Sequence, residues 1–120
     1  MKARIIREKI TKEELAQIVK ENFGTMVKID VDVERGILAI GGEWHSEGDE
    51  LLAKDSSSRE SVWGANFYPW NPSDSRIEYI SLINIKPQFN NRSMEVEDEK
   101  TREKMREIIS RLLLPDDETL

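Results

Sequence analysis

Val27-Lys28-Ile29-Asp30-Val31-Asp32-Val33-Glu34 is the stretch that decides the fold. Its odd positions are β-branched and apolar and its even positions are charged, the period-two pattern of a strand with one buried and one wet face. Glu34-Arg35-Gly36 then reads as a tight turn. Ile37-Leu38-Ala39-Ile40 is apolar at both parities, which suits a strand buried on both sides, so the two segments predict a hairpin. Gly41-Gly42 interrupts the second strand where polar residues begin, and paired glycines there predict a bulge, a bend or a close backbone approach.

On the N-terminal side of this hairpin, Thr11 is placed to cap a helix, Glu14 to complete the capping box and Ile10 to staple onto Leu15. Leu15, Ile18, Val19 and Phe23 recur at helical spacing, and Gly24 closes the helix in a position that tolerates a left-handed residue. A short early strand is expected over Ala3 to Arg7. On the C-terminal side, Leu51-Leu52-Ala53 suits either a short helix or a third strand, with the strand preferred ahead of the Asp55-Ser56-Ser57-Ser58 turn. Val62 to Pro69 is an aromatic-rich strand with Trp63, Ala65 and Phe67 on one face. Ile77 to Ile85 is apolar at both parities and predicts a central strand that Pro87 stops. Asp98 can cap a last helix with Met105, Ile108, Ile109, Leu112 and Leu113 as its apolar stripe. The expected architecture is α+β, one mostly antiparallel sheet of about five to six strands with two amphipathic helices packed on it. Residues 1–115 form the single domain, and 116–120 are expected to be a flexible tail.

The chain of 120 residues has the size of one domain, and its 18 basic and 24 acidic residues leave a net charge of −6. That balance disfavours a sequence-independent grip on nucleic acid or on an anionic membrane surface. The absence of cysteine closes disulfide, thiolate and sulfur-ligated zinc chemistry. No apolar run approaches the ~20 residues of a membrane span, and Met1 to Lys9 carries charges on both sides of Ile5-Ile6 rather than the apolar run expected of a signal peptide. The expected location is cytoplasmic. A composition rich in Ile and Glu and poor in Gln leans toward proteins of hot environments.

Two polar clusters are candidate sites. The first is Glu43-Trp44-His45-Ser46-Glu47-Gly48-Asp49-Glu50. In an extended segment Glu43 and His45 share a face and Asp49 folds back across Gly48, giving a candidate metal set of Glu43, His45 and Asp49. A hydrogen-bonded structural cluster is the competing and commoner reading, because one histidine and two carboxylates are an ordinary surface combination. Ser46 has no nucleophile elbow around it, so no Ser-His-Asp triad is named. The second cluster is Asn84, Asn90, Asn91, Arg92 and Ser93, ahead of the last helix. There Arg92 and amide donors could hold a phosphate or carboxylate, or Arg92 could simply pair with Glu95, Glu97 or Asp98. Asn66 and Asn84 each interrupt an apolar strand and would need partners if buried, either one another or a common pocket. Trp63, Phe67, Tyr68 and Trp70 are expected to pack rather than stack on bases. No glycine-rich phosphate loop is present, and no motif requires a cofactor.

Gly41-Gly42-Glu43-x-His45, Trp63-Gly64-x-Asn66-x-Tyr68-Pro69, Ile83-Asn84-Ile85-x-Pro87 and Asn91-Arg92-Ser93 resemble a family of small uncharacterised prokaryotic proteins, over nearly the whole chain. The resemblance implies one domain of unknown function and carries no activity or residue role. The leading functional expectation is therefore a binding or interaction module for a small polar or anionic ligand or a protein partner, with Glu43, His45, Asn66, Asn84, Asn91 and Arg92 around the site. Aromatic residues near the strand ends make a homodimer an expected partner arrangement. The alternative is a small metal-assisted hydrolase-like enzyme using Glu43, His45 and Asp49 with Arg92.

Overall fold

The structure is a computed structural model, and it describes residues 2–120. Five strands, β1 (Arg4–Ile6), β2 (Val27–Asp32), β3 (Ile37–Ile40), β4 (Val62–Phe67) and β5 (Ile77–Glu78), form one antiparallel sheet in the order β1-β3-β2-β4-β5. Three helices accompany it: α1 (Lys12–Glu21), α2 (His45–Lys54) and α3 (Glu99–Leu112). The class is α+β, as the strand and helix patterns predict, with one helix more than expected.

The β2–β3 hairpin forms as its alternation dictates, with Val31 opposite Leu38 and Ile29 opposite Ile40. The Asp32 carboxylate shapes the turn by accepting from the Glu34 and Arg35 amides, and Gly36 supplies the positive φ of 69° that closes it. On one face of the sheet, Val27, Ile29, Val31, Leu38, Ile40, Trp63, Ala65 and Phe67 pack against Leu15 and Val19 of α1 and Met105, Ile108, Ile109 and Leu112 of α3. Both helices are capped as expected, with Thr11 accepting from the Glu14 amide and Asp98 from the Thr101 amide. This is the main core.

Three expectations are corrected. Residues 45–54 are a helix, not a strand: Leu51 and Leu52 are adjacent, but Gly48 and Leu52, four apart, are what α2 buries. The supposedly wet face of β2 lies beneath that helix, and Asp30 and Asp32 are wholly buried. The segment Ile77 to Ile85 is no central strand. Ile77–Glu78 pairs with β4 at the sheet edge and Ile80 bridges to Glu95, after which Leu82–Asn84 forms a 3-10 turn that packs over Gly64. Its double-parity apolar pattern comes from a chain leaving the sheet to cover it, and Leu82 and Ile85 point outward.

Past Pro115, the buried Arg76 guanidinium donates to the carbonyls of Pro115 and Glu118, Lys12 pairs with Glu118, and Leu120 packs against the main core. No helix among the described residues is long and apolar enough to cross a membrane.

Candidate functional site

The even positions of β2 and their neighbours face α2. Lys28 lies opposite Asn66, Asp30 opposite Gly64 and opposite Ala39 on the other side, and Asp32 opposite Val62. Apolar contact on this face is limited to a small cluster of Ile37, Ala39, Leu52 and Val62, with Ile5 and Ile83 at its margin. The rest is polar.

Asp30 is the centre of that polar face. It has no exposed surface, and neither carboxyl oxygen has a hydrogen-bond partner among the described residues. Gly48 sits directly over it: a Cβ at that position would lie 2.1 Å from Oδ2 and 3.1 Å from the Ala39 Cβ. Only glycine lets the helix backbone pass this close. Burial pushes the Asp30 carboxyl well above the ordinary carboxylate range, Asp49 adds to the effect, and Lys28 opposes it. Asp49 follows Gly48 on α2 and reaches the Arg59 guanidinium at 3.9 Å.

His45 opens α2, and its Nε2–H donates to the Ala65 carbonyl at 2.9 Å. A carbonyl can only accept, so this bond fixes the proton on Nε2 and leaves Nδ1 as the acceptor. Burial lowers the His45 pKa; the Ala65 bond works against that and the Lys28 charge with it. Burial thus favours the neutral ring. Beside it on β4, Asn66 donates to the Glu78 carboxylate at 2.8 Å, while its own Oδ1 is buried without a partner. Tyr68 reaches the same Glu78 oxygen at 3.4 Å. Trp44, immediately before His45, is 61% exposed.

Asn84 and Asn91 belong to a different construction. The Asn84 side chain accepts from the Gly64 amide at 2.8 Å and donates to the Gly64 carbonyl and the Met94 carbonyl, both at 3.0 Å. A side-chain amide thereby takes the place of a neighbouring strand. Asn91 donates to the carbonyls of Asn84, Ser93 and Glu95 and accepts from the Glu97 amide. Both asparagines are buried, Asn84 tying the loop to β4 and Asn91 spending its polar atoms on the loop itself. Around Arg92 it is the backbone and Ser93, not the guanidinium, that bind a carboxylate, and that carboxylate belongs to the chain itself. One Glu97 carboxylate oxygen accepts from the Arg92 amide, the Ser93 amide and the Ser93 hydroxyl. The Ser93 bonds in particular hold Glu97 below its usual value.

Of the candidates from sequence, the structure gathers His45, Asp49 and Asn66 on the α2 face. Asn84 grips the same strand one residue away from the carbonyl that His45 uses. Glu43 and Arg92 are exposed outside this group. Among the described residues no three His, Cys, Asp or Glu side chains are arranged to hold a metal ion, and Glu43, His45 and Asp49 form no such set.

Sequence reasoning missed Lys28, Asp30 and Lys86. The last is 3% exposed, lies 4.0 Å from the Trp63 ring centre, and donates to the carbonyls of Arg59 and Val62. Burial, against an opposing pull from Asp49, pushes its pKa down to about 8. Two signals pointed to the polar face: aspartates in a strand, where they are poor formers, and a glycine inside HSEGDELLAK, where helix propensity disfavours it.

No curated protein and no solved structure matches this chain. A family model described as Protein of unknown function (DUF5674) matches residues 4–112, which is β1 through the end of α3, and the chain belongs to that family.

Proposed function

We propose that the chain is a binding module for a small polar ligand, held at the rim where the first turn of α2 crosses β2 and β4. The observation that supports this reading is the set of buried acceptors without partners on one face: both Asp30 oxygens, one Asp32 oxygen and the Asn66 Oδ1. A buried polar group left unpaired costs roughly 1 to 3 kcal/mol, and the opposite face of the same strands shows that apolar residues pack here without difficulty. Stability alone gives no reason to keep such a face. Lys28, His45 and Asn66 form its half-buried margin, and they offer a cationic donor, a neutral imidazole acceptor at Nδ1 and an amide acceptor. A ligand carrying its own hydrogen-bond donors fits that set best.

The test is a thermal-shift panel of amino acids, amines, nucleotides, phosphorylated metabolites and divalent metals on the wild type, His45→Ala, Asn66→Ala and Arg92→Ala. A binder of the native state raises the midpoint by mass action. The expected result is a shift that disappears in His45→Ala and Asn66→Ala and persists in Arg92→Ala. A shift lost only in Arg92→Ala would move the site to the loop before α3. A flat panel in all four proteins would reject the small-ligand reading and turn attention to a protein partner or a second copy.

A further inference from the structure

The contact between α2 and the sheet has an unusual composition. Leu52 is the one side chain that α2 buries fully, and its other buried residue, Gly48, has no side chain. Beneath Gly48 lies a carboxyl group that is wholly enclosed and hydrogen-bonded to nothing. The remaining helices are anchored differently: α3 buries four apolar side chains and α1 two, all in the main core. We propose that Asp30 couples the docking of α2 to the uptake of one proton, so that the helix lies on the sheet over a neutral carboxyl and lifts when that carboxyl ionises.

An ionised carboxylate enclosed without donors incurs a penalty of several kcal/mol even after relaxation, whereas a neutral acid in the same place incurs only that of a polar group. The cheapest relief is to admit water, and α2 is a thin cover, since its Gly48 backbone lies against the carboxyl and its apolar anchorage is small. The charged groups around Asp30 do not remove the problem. From α2, Asp49 is negative and opposes ionisation. From β2 itself, Lys28 favours ionisation but forms no hydrogen bond to Asp30, and Asp32 is committed to the hairpin turn through one oxygen. From β3 and β4 the facing residues are Ala39 and Gly64, which carry no charge.

The sign follows from the raised pKa. The docked state binds the Asp30 proton more tightly than the undocked one, so docking is unpenalised below about pH 4, the ordinary carboxylate value. It weakens as pH rises through the window up to the raised value. His45 and Lys86, both with lowered values, act in the opposite sense, since their native forms gain stability as pH rises. A loss of α2 at high pH therefore cannot come from either. This coupling stands whether or not the rim binds a ligand, but if it does, lifting α2 would expose Asp30 and Asn66 to it.

Hydrogen exchange read residue by residue on the full chain between pH 5 and pH 9 tests the coupling, expressed as protection factors so that the intrinsic pH dependence of exchange is removed. In the wild type, protection of the α2 amides should fall at least about tenfold, the change one linked proton produces over one pH unit, while the α3 amides hold theirs. In Asp30→Asn that fall in α2 protection should disappear. Parallel loss in α2 and α3, a flat profile in the wild type, or an unchanged profile in Asp30→Asn would each overturn the proposal. Should Asp30→Asn fail to fold, the carbon-13 shift of the wild-type Asp30 carboxyl decides: titration near pH 4 with α2 still protected overturns it, and a protonated carboxyl at pH 6 supports it.

Discussion

The two faces of one sheet are built from the same strands by different rules. Under α1 and α3, every contact position of β2, β3 and β4 is apolar and buried. Under α2, the alternate positions are Lys28, Asp30, Asp32, Gly64 and Asn66, with a small apolar cluster beside them. Both faces are covered, yet only one resembles an interior. Alternation in a strand therefore reports which residues share a face, and it does not report whether the polar face meets water.

The largest effect expected from this difference is on the apolar side. Phe67→Ala removes a ring that is 1% exposed and should cost roughly 3 to 5 kcal/mol in chemical denaturation; a loss under about 1 kcal/mol would mean that this face is loosely packed.

Next comes the amide that serves β4. Asn84→Ala leaves the Gly64 amide and carbonyl without their partner, and with a penalty of roughly 1 to 3 kcal/mol per unmade buried bond it should destabilise by at least about 2 kcal/mol. Stability near that of the wild type would show that water replaces the side chain freely.

Gly48→Ala sharpens the comparison most directly. Alanine is the better helix former by about 1 kcal/mol, so on an ordinary helix face the substitution stabilises. Here the new methyl meets Asp30 and Ala39, and a net loss of about 1 to 3 kcal/mol is expected, partly recovered in the double variant with Asp30→Ala. A stabilised Gly48→Ala would contradict the close approach of α2.

A smaller, pH-dependent effect concerns Lys86. Its lowered value means that native and unfolded states differ in protonation between about pH 8 and the ordinary lysine range, so wild-type stability should gain relative to Lys86→Met as pH rises across that window. The smallest effect belongs to Arg92→Ala. The side chain is exposed while its backbone does the binding to Glu97, so a change within about 0.5 kcal/mol is expected; a loss of about 2 kcal/mol would reveal a partner for the guanidinium.

Most of the fold was legible because its signals are local. Thr11 and Glu14 announce α1, Asp98 announces α3, and the Val27 to Ile40 pattern gives both the hairpin and its register. The helix α2 was not legible because its buried face consists of one leucine, one glycine and polar side chains, so hydrophobic periodicity has almost nothing to count. Ile77 to Ile85 misled for the reverse reason: its apolar residues are divided between the sheet edge, the cover over Gly64 and the outer surface. On the α2 face, His45 and Asn66 drew notice because a lone histidine beside a glycine pair and an amide within an apolar strand are unusual where they stand. Asp30 was missed because a charge at an even strand position looks solvated until a helix is known to lie above it.

The substitution of a side-chain amide for a strand at Gly64 has a consequence for how the molecule meets its own copies. β5 pairs with only Asn66 and Phe67 of β4, so without Asn84 the Gly64 amide and carbonyl would stand free in a strand of high β-propensity. Such an edge is a template for intermolecular pairing. By saturating Gly64 and anchoring the segment that packs over it, Asn84 keeps β4 from recruiting a foreign strand, and its loss should therefore be felt as aggregation during folding as well as reduced stability.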